Sequence, residues 1–128
     1  MGKQCLRIAR QWGGDREQWG LPIGRHEAGA EKIADIAAST FAMEAVTWLT
    51  SHWADEERDI RVEAAMAKLY SSEAAEYVTS AAIELYGGYR YTTEYPVEKL
   101  YRDAQIGKIY EGTSFMQLNT IAKLLLAE

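Results

Sequence analysis

The chain has 128 residues, 48% of them hydrophobic and 26% charged, which is one ordinary domain able to bury a core without staples. Its net charge of −5 and pI of about 5.1, with no basic cluster, argue against a nucleic-acid surface or an anionic membrane as partner. Cys5 is the single cysteine, so an internal disulfide is excluded and a reducing compartment is expected: the cytoplasm, or the mitochondrial matrix in a eukaryote.

In chain order, Gly2 to Gln11 has helical composition but no cap and little length, and reads as the end of a longer helix whose beginning is missing. Lys3, Arg7 and Arg10 interrupt it, so it is no secretory signal. Gly13-Gly14-Asp15 is a breaker, and from there to Gly24 the chain reads as a polar, glycine-rich loop. A long helix is expected from about Arg25 to Ala54, with a wide apolar arc from Ile33, Ile36 and Phe41 to Trp48, Leu49 and Trp53. Its most apolar part, Ile36 to Trp53, holds Glu44 and His52 and is too short and polar to span a bilayer.

Asp55-Glu56-Glu57 is a charged turn with carboxylates able to cap the next helix. That helix is expected from about Asp59 to Tyr86, on a stripe of Val62, Met66, Leu69, Tyr70, Ala74, Tyr77, Val78, Ala81 and Leu85. Gly87-Gly88 ends it, as a C-cap needing positive φ. The tyrosine-rich segment to Pro96 is a structured loop, since a lone alternating stretch forms no sheet, and Val97 to Ile109 holds a short helix. A last helix starts near Ser114, where Ser114-x-x-Gln117 fits a capping box and Leu118, Ile121, Ala122 and Leu125 form a buried stripe. These elements give an all-α, up-and-down four-helix bundle.

Packing does not call for Tyr110-Glu111-Gly112-Thr113-Ser114. A carboxylate ahead of a helix start can reach a ligand, and the glycine beside it permits close backbone approach. Glu111 reads as a general base, desolvated by Tyr110, or as a first-turn glutamate held by the helix macrodipole. Neither His26 nor His52 has a glutamate three residues before it, so a di-iron bundle is not expected, and no cysteine cluster offers zinc ligands. Cys5 has no companion that marks a nucleophile. Gly87-Gly88-Tyr89-Arg90 follows a helix rather than a strand, so it is no dinucleotide fingerprint; it is either a plain helix stop or a turn whose N–H groups face an anion. Arg16-Glu17-Gln18-Trp19-Gly20 offers either a phosphate-binding arginine with an aromatic platform, or a loop whose tryptophan plugs the bundle end.

Taken together, Arg16-Glu17-Gln18-Trp19-Gly20-Leu21-Pro22-Ile23, Ala64-Ala65-Met66-Ala67-Lys68, Gly87-Gly88-Tyr89-Arg90-Tyr91, Glu94-Tyr95-Pro96-Val97-Glu98, Arg102-Asp103 and Tyr110-Glu111-Gly112-Thr113-Ser114 form an ordered set. It resembles the C-terminal helical domain of the acyl-CoA dehydrogenase family over almost the whole chain. The resemblance implies that Glu111 removes the proton α to the thioester carbonyl of an acyl-CoA, while FAD takes the β-hydride and a trans-2-enoyl-CoA forms. It implies that the backbone N–H of Glu111 binds the thioester carbonyl, with Tyr110 and Gly112 beside the acyl group. Thr113 and Ser114 would meet FAD at the helix start, and Arg16, Gln18, Glu84, Gly87 and Gly88 would reach the FAD of a neighbouring subunit. Some relatives carry the base on an earlier helix; Glu111 points to the usual place.

Three positions depart from the family pattern. Glu84 replaces a glutamine and would repel FAD phosphates unless paired or protonated; Arg90 replaces a glycine; Phe115 replaces a polar residue. The family's N-terminal helical and middle β domains have no counterpart here, so the chain is expected to be one domain, residues 1–128, of a longer enzyme and inactive by itself. A homo-oligomer, dimer or tetramer, is expected from the wide apolar faces. An electron-transfer flavoprotein or oxygen remains open as electron acceptor. The alternative is a non-enzymatic helical oligomerisation module that kept the fold.

Overall fold

The structure is a computed structural model, described here for residues 1–127. Its elements are α1 (Gly2–Asp15), strands β1 (Glu17–Gln18) and β2 (Leu21–Pro22), a 3₁₀ turn (Ile23–Arg25), α2 (Glu27–Asp55), α3 (Arg61–Leu85), a 3₁₀ turn (Gly87–Tyr91), α4 (Pro96–Ile106) and α5 (Ser114–Leu126). The architecture is the expected all-α bundle, with α3 as its axis: α1, α2, α4 and α5 all pack on it. No helix among the described residues is long and apolar enough to cross a membrane.

The first connection differs from the sequence reading. α1 does not break at Gly13 but runs on to Asp15. Gly13 is there for space: a Cβ on it would lie 2.7 Å from Ile33 Cδ1, and one on Gly24 would lie 2.9 Å from the Gly13 carbonyl oxygen. The two glycines let α1 and the 3₁₀ turn meet backbone to backbone. The expected loop is a two-residue hairpin, with Glu17 opposite Pro22 and Gln18 opposite Leu21. Its central residues are Trp19 (φ 49°) and Gly20 (φ 80°), the left-handed pair that a right-twisted hairpin requires. That conformation turns the Trp19 side chain out to 88% exposure, so it does not plug the bundle. Trp12 does that work, donating from Nε1 to the Leu85 carbonyl at 3.0 Å and stacking on Tyr86 at 4.3 Å between centroids.

Two caps also fall elsewhere than expected. None of Asp55, Glu56 or Glu57 caps α3; its N-cap is Ile60, without a side-chain cap, and Asp59 one residue further out accepts the Arg61 N–H at 3.2 Å. At α5 the N-cap is Thr113 rather than Ser114: Thr113 Oγ1 accepts the Met116 N–H. Gln117 does not close a capping box but reaches back to the Glu111 carbonyl at 2.9 Å. Gly87 (φ 55°) follows the end of α3 as the expected positive-φ stop.

The core lies between α1, α2 and α3. Cys5, Ala9, Ile36, Val78, Ala81, Ala82 and Leu85 form one cluster, and Ile8, Tyr86 and Val97 another. On α3 the buried small residues Ala65, Ser72 and Thr79 recur every seven positions and set the close approach of its neighbours. The bulky half of the expected α3 stripe, Met66, Tyr70 and Tyr77, is exposed instead. So are Phe41, Trp48 and Leu49 of α2. No residue of α5 is buried, and its Leu118 and Leu125 are 53% and 54% exposed, since none of the described residues covers that face.

Candidate active site

The loop between α4 and α5 carries Glu111. It is anchored at its start by the Tyr110 N–H on the Ile106 carbonyl (3.1 Å) and at its end by the Ser114 N–H on the Lys108 carbonyl (3.1 Å). Lys108 Nζ pairs with Glu76 Oε2 on α3, which holds the Glu76 carboxyl below its ordinary range. Within the loop Glu111 (φ 52°) and Gly112 (φ 87°) are both left-handed. Glycine is required at 112 on two counts, since a Cβ there would also lie 2.6 Å from Gln117 Nε2. Lys68 Nζ on α3 donates to the Gly112 carbonyl, and Gln117 Nε2 donates to the Glu111 carbonyl.

Glu111 stands two residues ahead of the N-cap, outside the first turn, so the macrodipole account of it does not apply. Nor does Tyr110 wall it off, being 56% exposed. The carboxylate borders two open grooves. One, about 560 Å³, runs between α3 and α5 past Arg61, Lys68, Gln117 and Lys123. The other, about 570 Å³, runs between α3 and α4 past Ser72, Asp103, Gly107 and Tyr110. The backbone N–H groups of Glu111, Gly112 and Thr113 donate to no acceptor among the described residues. Ser114 Oγ is buried and without a partner. An exposed carboxylate next to unpaired N–H donors can take a proton while the donors hold an oxygen of the same molecule.

A second site forms at the far end of α3. At a rise of about 1.5 Å per residue, about 25 Å of helix separate Lys68 from Leu85. A cavity of about 340 Å³ there is lined by Arg16, Gln18, Trp19, His26, Lys32, Glu84, Gly87 and Gly88, among others. Every residue assigned from the sequence to a neighbour's cofactor, Arg16, Gln18, Glu84, Gly87 and Gly88, lies in this wall. A Cβ on Gly87 or Gly88 would meet no atom of the chain, so the bare backbone of the turn borders open space. Tyr89 and Tyr95 pack edge-on to Trp12, and the Arg16 guanidinium lies 5.3 Å from the centroid of the Tyr89 ring. His26 Nε2 contacts the Gln18 carbonyl oxygen at 2.9 Å, which ties the hairpin to the start of α2.

Glu84 does not present an unopposed charge. It pairs with Lys32 of α2, whose hydrogen bond lowers the carboxyl pKa, with Arg90 adding in the same direction. Lys32 is raised by the same bond. The structure thus meets the condition that Glu84 be paired. Phe115 is 68% exposed in the first turn of α5. The residues missed from sequence are Lys68, Lys32 and Gln117. Lys68 stood inside a quoted motif, but only the fold brings it to the loop, 44 residues away. The two halves of the expected site, Tyr110 to Ser114 and the Arg16–Gly88 wall, do not meet within one chain, as the neighbour-subunit assignment requires.

Both places suit a phosphate-bearing dinucleotide. Arg16 supplies a cation at an open glycine turn, and Ser114 Oγ and the free N–H groups supply unused donors at a helix start.

The family profile described as "Acyl-CoA dehydrogenase, C-terminal domain" matches residues 1–126. The chain is 46% identical to "Probable acyl-CoA dehydrogenase FadE10" of Mycobacterium tuberculosis, over 96% of this chain and 21% of that protein. It is 45% identical to the mitochondrial short/branched chain specific acyl-CoA dehydrogenase of Rattus norvegicus, over 89% of this chain and 26% of the relative. The fold superposes on butyryl-CoA dehydrogenase from Megasphaera elsdenii with a TM-score of 0.94 at 34% identity, covering 98% of this chain and 33% of that one. The chain therefore spans between a fifth and a third of the length of these relatives. Family profile, relatives and fold agree: the chain belongs to the acyl-CoA dehydrogenase family and corresponds to its C-terminal domain.

Proposed function

We propose that this domain supplies the proton-abstracting base of an FAD-dependent acyl-CoA dehydrogenase that converts an acyl-CoA to a trans-2-enoyl-CoA. The observation that carries the reading is Glu111 itself: an exposed carboxylate on a left-handed loop, pinned by side chains from α3 and α5 and bordered by two grooves. An α-C–H bond next to a thioester is a weak acid, so its removal needs a carboxylate in reach and donors on the oxygen that gains charge. Glu111 offers both from one residue, the carboxylate to take the proton and its unpaired backbone N–H to hold the thioester carbonyl. Gly112 lets the acyl chain approach the main chain, and Tyr110 flanks it. FAD, when bound, supplies the acceptor for the hydride leaving the β carbon. Thr113 and Ser114 hold it at the start of α5, and Arg16, Gln18, Gly87 and Gly88 hold the copy bound by a neighbouring subunit. Glu84, kept neutral in sum by Lys32, stands in that same wall.

This arrangement needs at least two copies, since the two ends of α3 serve different cofactors. A homodimer or tetramer follows, with the exposed faces of α2 and α5 available for its contacts. Activity belongs to the assembly that includes counterparts of the rest of the relatives' length, and an electron-transfer flavoprotein is the acceptor this reading favours. A reducing compartment, cytoplasm or mitochondrial matrix, suits the single buried thiol. The competing reading is a non-enzymatic oligomerisation module. It draws on the departures at Glu84, Arg90 and Phe115, of which the Lys32 pair answers the first.

The test is Glu111→Gln in the complete FAD-loaded protein with butyryl-CoA as probe. Flavin content should stay at the wild-type level while turnover falls by about 10³-fold or more, the order expected from losing a base that acts only in the transition state. A fully active Gln variant would end the proposal, and a colourless wild-type protein after addition of FAD would favour the module.

A further inference from the structure

We propose that Lys68 is a positioning residue for Glu111, fixing the backbone of the base through the Gly112 carbonyl without touching the substrate. The inference rests on the reading of Glu111 as the base. It begins from strain. A non-glycine residue at φ 52° lies above the right-handed alternatives in energy and persists only where its surroundings hold it. Here both carbonyls of the strained dipeptide are held by side chains. Gln117 of α5 donates to the Glu111 carbonyl at 2.9 Å and approaches the Gly112 carbonyl at 3.4 Å. Lys68 of α3 donates to the same Gly112 carbonyl. Side chains of two helices thus hold one turn.

The choice of partner separates Lys68 from other lysines of this chain. Lys3, Lys32, Lys99 and Lys108 sit on carboxylates. Lys68 has no carboxylate partner among the described residues and places its ammonium on a main-chain oxygen. It also lines both grooves that open onto Glu111, so it stands at their junction. The carboxylate and the free N–H of Glu111 are both aimed by the same backbone torsions. Gln117 holds the Glu111–Gly112 peptide and Lys68 the next one, Gly112–Thr113, so this hold limits the Glu111 torsions that aim both groups. Releasing it misplaces the base and the carbonyl donor together, which lowers the chemical step and leaves the binding of the substrate's remote parts alone.

The experiment uses the complete FAD-loaded protein with butyryl-CoA. It reads kcat, KM and flavin content, together with the rate at which the α-protons of the thioester exchange into D2O. Lys68→Met is expected to lower kcat and α-proton exchange by about 10- to 100-fold, with KM within about threefold and flavin content unchanged. Lys68→Arg, which keeps a long cationic donor, is expected to recover most of the loss. Gln117→Ala is expected to lower the same two rates by a smaller factor. Wild-type exchange in Lys68→Met, or a raised KM at unchanged kcat, would overturn the inference. If Lys68→Met does not fold, Gln117→Ala and Lys68→Arg decide: wild-type rates in the first, or a loss in the second as deep as that of Glu111→Gln, overturn it. Full activity in Glu111→Gln would instead overturn the base assignment, whatever Lys68 does, so the two failures are told apart.

Discussion

α1 and α5 both lie on α3, and they are held there by different forces. α1 buries Cys5, Ile8, Ala9 and Gly13 against its neighbours, and the Cys5 thiol is pushed up to about 11 by that burial. α5 buries nothing. Its leading loop is instead fixed by directional polar contacts: Lys68 on the Gly112 carbonyl, Gln117 on the Glu111 carbonyl, and Lys108 on Glu76. The end of α3 near Gly87 is thus set by packing, with Trp12, Tyr86, Tyr89 and Tyr95 in mutual contact. The end near Glu111 is set by hydrogen bonds that solvent can contest.

The sharpest way to break that contrast is in the core. Ile36 is fully buried, and Ile36→Ala is expected to remove about 2–5 kcal/mol of stability, read from urea midpoints. Leu125→Ala on α5 is expected to change the same midpoint by less than about 0.5 kcal/mol, as for an exposed position. Equal losses would erase the distinction between the two faces. Next in size is Gly29→Ala in the first turn of α2. A Cβ there would lie 2.0 Å from the Ile23 carbonyl oxygen, a backbone atom that cannot step aside. The expected loss is about 1–3 kcal/mol, with the 3₁₀ turn displaced and the Gln18–His26 contact broken, visible as faster amide exchange over residues 23–30.

The contrast also explains what the sequence revealed. The helices, the glycine stop after α3 and the family motifs were legible because they depend on local periodicity and on residue order. The stripe on α5 was legible as a helix and misleading as a core, because periodicity marks an apolar face without saying what covers it. The Thr113 cap was misplaced by one residue because Thr113 and Ser114 are chemically equivalent as caps and only the geometry chooses. Of the two readings of the Trp19 loop, the plug fails because the two-residue hairpin that turns the side chain outward depends on a positive φ that tryptophan seldom adopts. Lys68 and Lys32 were invisible as site residues, since each acts on a partner 44 or 52 positions away.

A smaller effect tests the packed end. Lys32→Met leaves the Glu84 carboxylate alone in the cavity wall beside Arg16 and Gly87. In the complete protein, retention of FAD through gel filtration is expected to weaken by about 3- to 10-fold, and Lys32→Met with Glu84→Gln to restore it. A loss in the double variant equal to that in the single one would mean that Lys32 acts on the cofactor directly rather than by neutralising Glu84.

The smallest effect tests the polar end through its pH dependence. Glu76 has its pKa lowered from 4.5, first by the hydrogen bond from Lys108 and then by Gln105, against a small opposing effect of burial. A carboxyl with a depressed folded pKa adds stability that is complete above its ordinary value. That stability disappears as pH falls through the folded one. The side chains of the pair are about a third exposed, at 30% and 33%, so the contribution at pH 7 is expected to stay below about 1 kcal/mol. Glu76→Gln should therefore lower the urea midpoint slightly at pH 7 and match the wild type only once the pH has fallen below the depressed folded pKa, where Glu76 is protonated as well. Because the pair ties the loop after α4 to α3, the same variant should speed amide exchange at residues 107–113 and leave α1 unchanged. Faster exchange in α1 would mean that the two ends of α3 are coupled, and that the grip on Glu111 is part of the core rather than an addition to it.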